Sequence, residues 1–208
     1  MKILIADDHS VVRKGLRQIL HEGFPNAEIA EVADAESMVS EVIDKSWDVV
    51  ISDLAMPKRS GLDALPQIKQ INPTLPVLIL SIHPEEQYAV RVLKAGASGY
   101  LSKDAAPDEL VNAVKQVILG KKYINASVAE KIAASFSNKE SKHPHETLSD
   151  REFSVLKLLA SGKSITEIAE SFLLSTTTVS TYRARILNKL NLKNNAEMIL
   201  YCIENKLM

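Results

Sequence analysis

Along the first 120 residues, short apolar runs alternate with stretches whose apolar positions recur every three or four residues. Lys2-Ile-Leu-Ile-Ala6 is a run of the first kind and ends on Asp7-Asp8, the pattern of a strand buried on both faces. Val12, Leu16, Ile19 and Leu20 follow at helical spacing and stop at Gly23 and Pro25. Glu28–Val32 predicts a second strand, and a helix opening at Asp34 carries Ala35, Met38, Val39, Val42 and Ile43 as its apolar stripe. Val49–Ser52 is the third strand, followed by Asp53 and the loop Leu54–Gly61. A helix is predicted over Asp63–Ile71, with Pro66 in its first turn, where a missing N–H does no harm. Val77–Ser81, a helix over Glu85–Ala95 stopped by Gly96, and a short strand Gly99–Ser102 come next. Pro107 opens a last helix with Leu110, Val111, Val114, Val117 and Ile118 on one face. Five strand–helix units in this length predict an α/β fold, a five-stranded doubly wound parallel sheet with helices on both sides.

The period then changes. Val128, Ile132 and Phe136 predict a short helix over 126–136, while Ser137–His145 has no apolar period. Residues 121–146 are therefore expected to be a linker with a short helix, its His143 and His145 ordinary linker residues. From Thr147 every segment is helical. Ser149 with Glu152, and Ser164 with Glu167, have capping-box spacing. The first pair opens a helix that buries Val155, Leu156, Leu158 and Leu159; the second opens a helix over Ile165–Phe172. After a tight turn at Leu173-Leu-Ser175, Ser175 caps a third helix to Leu190, and Asn194 or Asn195 starts a fourth with Met198, Ile199, Cys202 and Ile203 apolar. The expected organisation is a sheet domain over 1–120, a linker over 121–146, and a small all-α four-helix domain over 147–208. Two short helices joined by a tight turn suggest a helix-turn-helix whose second helix enters the major groove, although helical pairs also occur with no nucleic-acid role.

Composition narrows the classes. Hydrophobic residues make up 46% of the 208, enough for two ordinary cores, which excludes an intrinsically disordered chain. The single Cys202 makes no internal disulfide, and no Cys/His group has zinc-ligand spacing. No apolar run approaches the ~20 residues of a membrane span, and the N-terminal stretch lacks a signal peptide's apolar core, so a cytoplasmic protein without membrane association is expected. The net charge of −1 conceals an asymmetry: residues 1–120 carry 12 basic and 17 acidic side chains, and residues 121–208 carry 13 and 9. From Glu146 onward the excess is only one positive charge, yet Arg183, Arg185, Lys189 and Lys193 form a run with no acid among them.

In open parallel sheets, ligands bind beyond the carboxyl ends of the strands, at a switch in strand order. Asp7 and Asp8 end the first strand, Asp53 the third and Ser81 the fourth, and Lys103 follows the fifth. Clustered carboxylates are unfavourable without a cation, and an all-oxygen site suits Mg²⁺. A carboxylate in such a site can attack a phosphoryl group, with Lys103 neutralising the equatorial oxygens and Ser81 hydrogen-bonding one of them.

Asp7-Asp8, Asp53-Leu-Ala-Met-Pro57, Ser81 and Gly99-Tyr-Leu-Ser-Lys103 resemble the receiver domain of bacterial two-component response regulators, over about residues 1–119. The resemblance implies that Asp53 accepts phosphate from a phosphohistidine on a sensor histidine kinase. It also implies that Asp8, Asp53 and the carbonyl of Ala55 ligate Mg²⁺, with Asp7 acting through water. Ser81 and Tyr100 match the two switch positions of that family, and Ala55 and His83 match positions that tune dephosphorylation. Many relatives have proline after the lysine, supporting a cis peptide; Asp104 stands there in this chain. Leu148-Ser-Asp-Arg-Glu152, Gly162-Lys-Ser-Ile-Thr-Glu-Ile-Ala169, Ser175-Thr-Thr-Thr-Val179 and Lys189-Leu-Asn-Leu192 resemble the LuxR-type DNA-binding domain. Together the two resemblances point to the NarL/FixJ class, in which the last helix is commonly a dimer surface.

A helical wheel sorts the third helix of the second domain. With Val179, Ile186 and Leu190 inward, Thr177, Ser180, Thr181, Ala184 and Asn188 face outward at about 100° per residue, with Arg185 on the flank. Arg183 lies nearer the core edge and is expected to meet a phosphate of double-stranded DNA or pack its stem rather than read a base, and Lys189 is expected among the DNA-binding residues. The leading expectation is a phosphorylation-switched transcription regulator that dimerises on half-sites about 10 bp apart. An aspartyl phosphohydrolase is disfavoured because its Asp-x-Asp motif is missing from the first strand, and a phosphorylation-independent regulator or protein-binding adaptor stays open.

Overall fold

The alternation of apolar runs and amphipathic stretches is realised as β–α units in the computed structural model, which describes residues 1–82, 85–124, 129, 144–205 and 207. The chain divides into two compact units, Met1–Ser137 and Asn138–Met208. In the first, β1 (Lys2–Ala6), α1 (Ser10–Gly23), β2 (Glu28–Val32), α2 (Ala35–Asp44), β3 (Val49–Asp53), α3 (Gly61–Ile71), β4 (Val77–Ser81), α4 (Glu85–Lys94), β5 (Gly99–Ser102) and α5 (Pro107–Ile118) follow one another. All neighbouring strands are parallel, in the order β2-β1-β3-β4-β5. The order reverses at β1, so the ends of β1 and β3 border a crevice where a ligand can sit between connecting loops. Register brings Ala6 beside Ser52 and Asp53 beside Leu80, which sets the strand-end residues on a common rim. Ile3, Ile5, Val49, Ile51, Leu78 and Leu80 pack against Leu20 of α1 and Leu110, Val114 and Val117 of α5, and this core holds the rim rigid.

The second unit begins with a 3₁₀ turn, Pro144–Thr147, and continues through α6 (Asp150–Ala160), α7 (Ile165–Phe172), α8 (Thr176–Leu190) and α9 (Asn195–Glu204). Both predicted capping boxes close: Ser149 Oγ accepts from Glu152 N–H while Glu152 Oε2 accepts from Ser149 N–H, and Ser164 and Glu167 repeat the pattern. Leu173 turns the chain between α7 and α8 at φ 52°, an unusual left-handed conformation for a branched residue, with its N–H bonded back to Glu170. Phe153, Val155, Leu156, Ile168, Val179, Ile186, Met198 and Cys202 form the core.

Several sequence expectations are corrected. Helix α3 starts at Gly61, not near Asp63, because Ser60 caps it in a box with Asp63. Pro66 therefore lies in the second turn, where it withholds an N–H from the Leu62 carbonyl. Ile43 and Ile203, expected on apolar stripes, are exposed, and Leu158 is half-buried; the widest buried side chain of the second unit is instead Phe153. His145 is no free linker residue: it lies in the Pro144–Thr147 turn and hydrogen-bonds Tyr201 Oη through its backbone N–H (3.2 Å) and Nδ1 (2.9 Å). Apart from Ala129, residues 125–143, which include the helix expected over 126–136 and His143, lie outside the described residues, as does His83.

Candidate functional site

Strand ends bring Asp7, Asp8, Asp53, Ser81 and Lys103 to the rim. Lys103 Nζ lies 2.6 Å from Asp7 Oδ2 and 2.8 Å from Asp53 Oδ2. Its own backbone N–H donates to the Ser81 carbonyl at 2.9 Å, which ties the end of β4 to the lysine. Asp7 Oδ1 accepts the His9 N–H at 2.7 Å, and Asp53 Oδ1 accepts the Ala55 N–H at 3.3 Å. Asp7, Asp53 and Ser81 are buried, whereas Asp8 is partly open and Ala55 is exposed. Tyr100 is buried on β5. The Lys103–Asp104 peptide is trans.

Burial raises the Asp53 carboxyl above the ordinary carboxylate range, and the Lys103 ammonium opposes it without prevailing. Lys103 loses charge stabilisation to burial, but the hydrogen bonds and charges of Asp53 and Asp7 outweigh that and raise it. Two buried carboxylates, Asp7 and Asp53, thus share one ammonium. Asp8 Oδ1 is buried without a hydrogen bond; His9 Nδ1 stands 2.9 Å away in a geometry that makes none. Ligand atoms of Asp7, Asp8, His9 and Asp53 all lie within 4.8 Å of one another. An orphaned carboxylate oxygen beside two more carboxylates is a donor set that suits a hard divalent cation. The acidic cluster can hold a metal ion.

Three contributors escaped sequence reasoning. His9, the cap residue before α1, and Arg13 on α1 border the cluster: His9 sits against both aspartates, and Arg13 Nη1 donates to the Asp7 carbonyl at 2.6 Å while its Nε lies 3.4 Å from Glu31. Adjacency to Asp7-Asp8 was the available signal for His9; Arg13 had only its helical phase. Gly61 is the third. A Cβ there would lie 2.2 Å from the Asp53 carbonyl oxygen and 2.5 Å from Ser52 Oγ, so only glycine lets α3 start directly beneath the acidic strand end.

The second unit carries the other candidate surface. Val179, Ile186 and Leu190 of α8 are buried, and Thr177, Ser180, Thr181, Ala184, Arg185 and Asn188 are exposed. The two remaining cations of the helix make contacts within the unit. Arg183 Nε donates to Asn195 Oδ1 at 2.7 Å, and Lys189 Nζ meets the buried Glu152 Oε2 at 2.6 Å. The run that is free of acid in sequence is not free of acid in space. Glu152 is held below the usual range: burial works against this, but the bonds from Lys189 and Ser149 prevail.

Comparison with known proteins covers both units. Residues 3–115 match the family described as response regulator receiver domain, and residues 146–202 match bacterial regulatory proteins, luxR family. The response regulator UvrY of Escherichia coli is 34% identical over 208 residues, spanning 100% of this chain and 95% of that protein. The oxygen regulatory protein NreC of Staphylococcus epidermidis is 36% identical over 216 residues, 100% and 99% of the two chains. Among solved structures, RcsB from Salmonella enterica serovar Typhimurium, bound to the promoter rprA with the phosphomimetic BeF3−, is 28% identical with a TM-score of 0.64, covering 97% of this chain and 98% of that one.

Proposed function

This chain belongs to the two-component response regulators of the NarL/FixJ class, a receiver domain joined to a LuxR-type DNA-binding domain, and from that premise we propose that phosphorylation of Asp53 by a sensor histidine kinase switches its binding to DNA. Its family is one of regulators with a DNA-binding domain, not of typical enzymes. The observation that carries the proposal is the single ammonium of Lys103 shared between buried Asp7 and Asp53, beside the orphaned oxygen of Asp8.

A carboxylate oxygen of Asp53 attacks the phosphorus of a phosphohistidine; the O–P bond forms, the P–N bond breaks and imidazole leaves, taking a proton from solvent. Lys103 is already placed on the carboxylate and neutralises the phosphoryl oxygens as charge arrives, and the Ser81 hydroxyl hydrogen-bonds one of them. Asp8, Asp53 and the Ala55 carbonyl would hold Mg²⁺, with Asp7 in support, and the ion would supply further neutralisation of the transferring group. Ser81 and Tyr100 act as the switch pair that senses the new group.

The output is proposed to be a homodimer. Leu200 and Ile203 are exposed on α9 and offer apolar surface for two-fold pairing. The pair of α8 helices would then meet double-stranded DNA through Thr177, Ser180, Thr181, Ala184, Arg185 and Asn188. Arg183 and Lys189 are proposed to contribute at phosphates from the edges, while bonded within the unit. A DNA target is consistent with the cytoplasmic location we propose.

Acetyl phosphate with Mg²⁺ tests the reading. Mass spectrometry is expected to find one phosphoryl group at Asp53, absent in Asp53→Ala, together with tighter binding to promoter DNA. No modification, with assembly and DNA binding unchanged, would establish a phosphorylation-independent regulator instead.

A further inference from the structure

Helix α8 turns a nearly uncharged stripe outward. Thr177, Thr181, Ala184 and Asn188 are exposed at positions i, i+4, i+7 and i+11, which at about 100° per residue puts them on one line opposite the buried Val179, Ile186 and Leu190. Ser180 borders that line on one side and Arg185 on the other, both exposed. Arg183 and Lys189 are bonded to Asn195 and Glu152. The stripe itself carries no guanidinium, ammonium or carboxylate.

The chemistry of the major groove limits what such a surface discriminates. Guanine is read best by a cation on O6 and N7, and cytosine by a carboxylate on its amino group; adenine is read by an amide on N6 and N7, and thymine by apolar contact with its methyl group. The stripe lacks the first two kinds of reader and has the last two. Asn188 carries the amide and Ala184 a methyl. Thr181 Oγ1 already donates its proton to the Thr177 carbonyl at 3.0 Å, so the side chain presents its methyl and a lone pair.

We propose that α8 specifies a half-site with a core of A·T pairs, thymine methyl groups seated against Thr181 and Ala184 and one adenine read by Asn188. Arg185 serves the flank of that half-site. The inference rests on α8 being the DNA-recognition helix and narrows the class of sequence it takes.

The test uses full-length protein treated with acetyl phosphate and Mg²⁺ to select duplexes from a randomised library. Selected half-sites are expected to be A·T-dominated at their core. Replacing thymine by deoxyuridine at the contacted positions, which deletes only the methyl, should weaken binding about three- to fivefold per position, the effect of losing one buried methyl. Asn188→Ala should relax the choice at one adenine position by about tenfold, and Ala184→Ser should make one position insensitive to deoxyuridine. Both substitutions alter exposed side chains only, and the deoxyuridine arm alters no residue at all. Half-sites with guanine at their core, or affinities indifferent to deoxyuridine, overturn the inference while leaving DNA recognition by this helix standing. If no sequence is enriched and every duplex binds alike, sequence-specific regulation and this inference fail together.

Discussion

Lys103→Met removes the one ammonium that lets two buried carboxylates lie side by side. Its Nζ is 2.6 Å from Asp7 and 2.8 Å from Asp53, and those carboxylate side chains are only 1% and 5% exposed. Removing one partner of a buried ion pair costs about 3–5 kcal/mol, because the charge left behind has neither water nor a counter-ion. Two features lower that figure. Each aspartate keeps a backbone N–H bond, from His9 and Ala55, and the neighbouring Asp8 side chain is 25% exposed, so water reaches the rim. The expected loss is about 2–3 kcal/mol at neutral pH in metal-free buffer. Trp47, the sole tryptophan, is buried just before β3 with Nε1 bonded to the Glu41 carbonyl, so its fluorescence reports the receiver alone during urea unfolding. For a unit of this size the midpoint should fall by about 1–2 M. The pH dependence has a definite sign. Burial raises Asp53 and Lys103 opposes it, so without the lysine the carboxyl rises further. Between the unfolded and folded values the native state then binds more protons, and stability falls as pH rises through that window. The deficit should shrink on acidification and on adding Mg²⁺. An unchanged midpoint, or a deficit that ignores both, refutes the shared-ammonium account.

Other consequences are as direct. Lys189→Met strips the cation from the buried Glu152 and leaves it the backbone N–H and hydroxyl of Ser149, so α6 and α8 amides should lose about 1–2 kcal/mol of hydrogen-exchange protection, the open lysine side limiting the cost. Because Glu152 sits below its ordinary range, its contribution is present at neutral pH and lost as pH falls through the folded value; the variant should therefore lose less on acidification. Gly61→Ala forces a Cβ to within 2.2 Å of the Asp53 carbonyl oxygen, and the Trp47 urea midpoint should reveal a loss of at least about 2 kcal/mol alongside impaired phosphorylation. Cys202 is fully buried and pushed up to about 11, so alkylation by iodoacetamide at neutral pH should wait for unfolding by urea; rapid labelling of native protein would contradict its burial.

Where one residue's immediate chemistry decides, the sequence was a sufficient guide. Ser149 and Ser164 cap their helices because a hydroxyl and an acid three residues later satisfy local backbone donors, and both boxes close as spaced. The alternation of apolar runs with helical stripes required a parallel sheet, and the strand ends then had to share a rim. Local reasoning failed where neighbours come from elsewhere. Ile43 and Ile203 have the right helical phase, yet both stand largely exposed. His145 looks like linker in a stretch without period, yet Tyr201, 56 residues away, holds it.

The order of elements, the carboxylate–hydroxyl–lysine set and the outward face of α8 were legible from the residues alone, because period and capping depend on residues a turn or less apart. Which charges pair was settled only by folding. Lys189 and Glu152 are 37 positions apart, and Lys103 and Asp7 are 96 apart, yet each pair stands at 2.6 Å. Chain folding alone creates those distances, and with them the burial that makes one ammonium answer for two carboxylates. It also bonds Arg183 to Asn195 and Lys189 to Glu152, leaving on α8 the neutral stripe on which the proposed base preference rests.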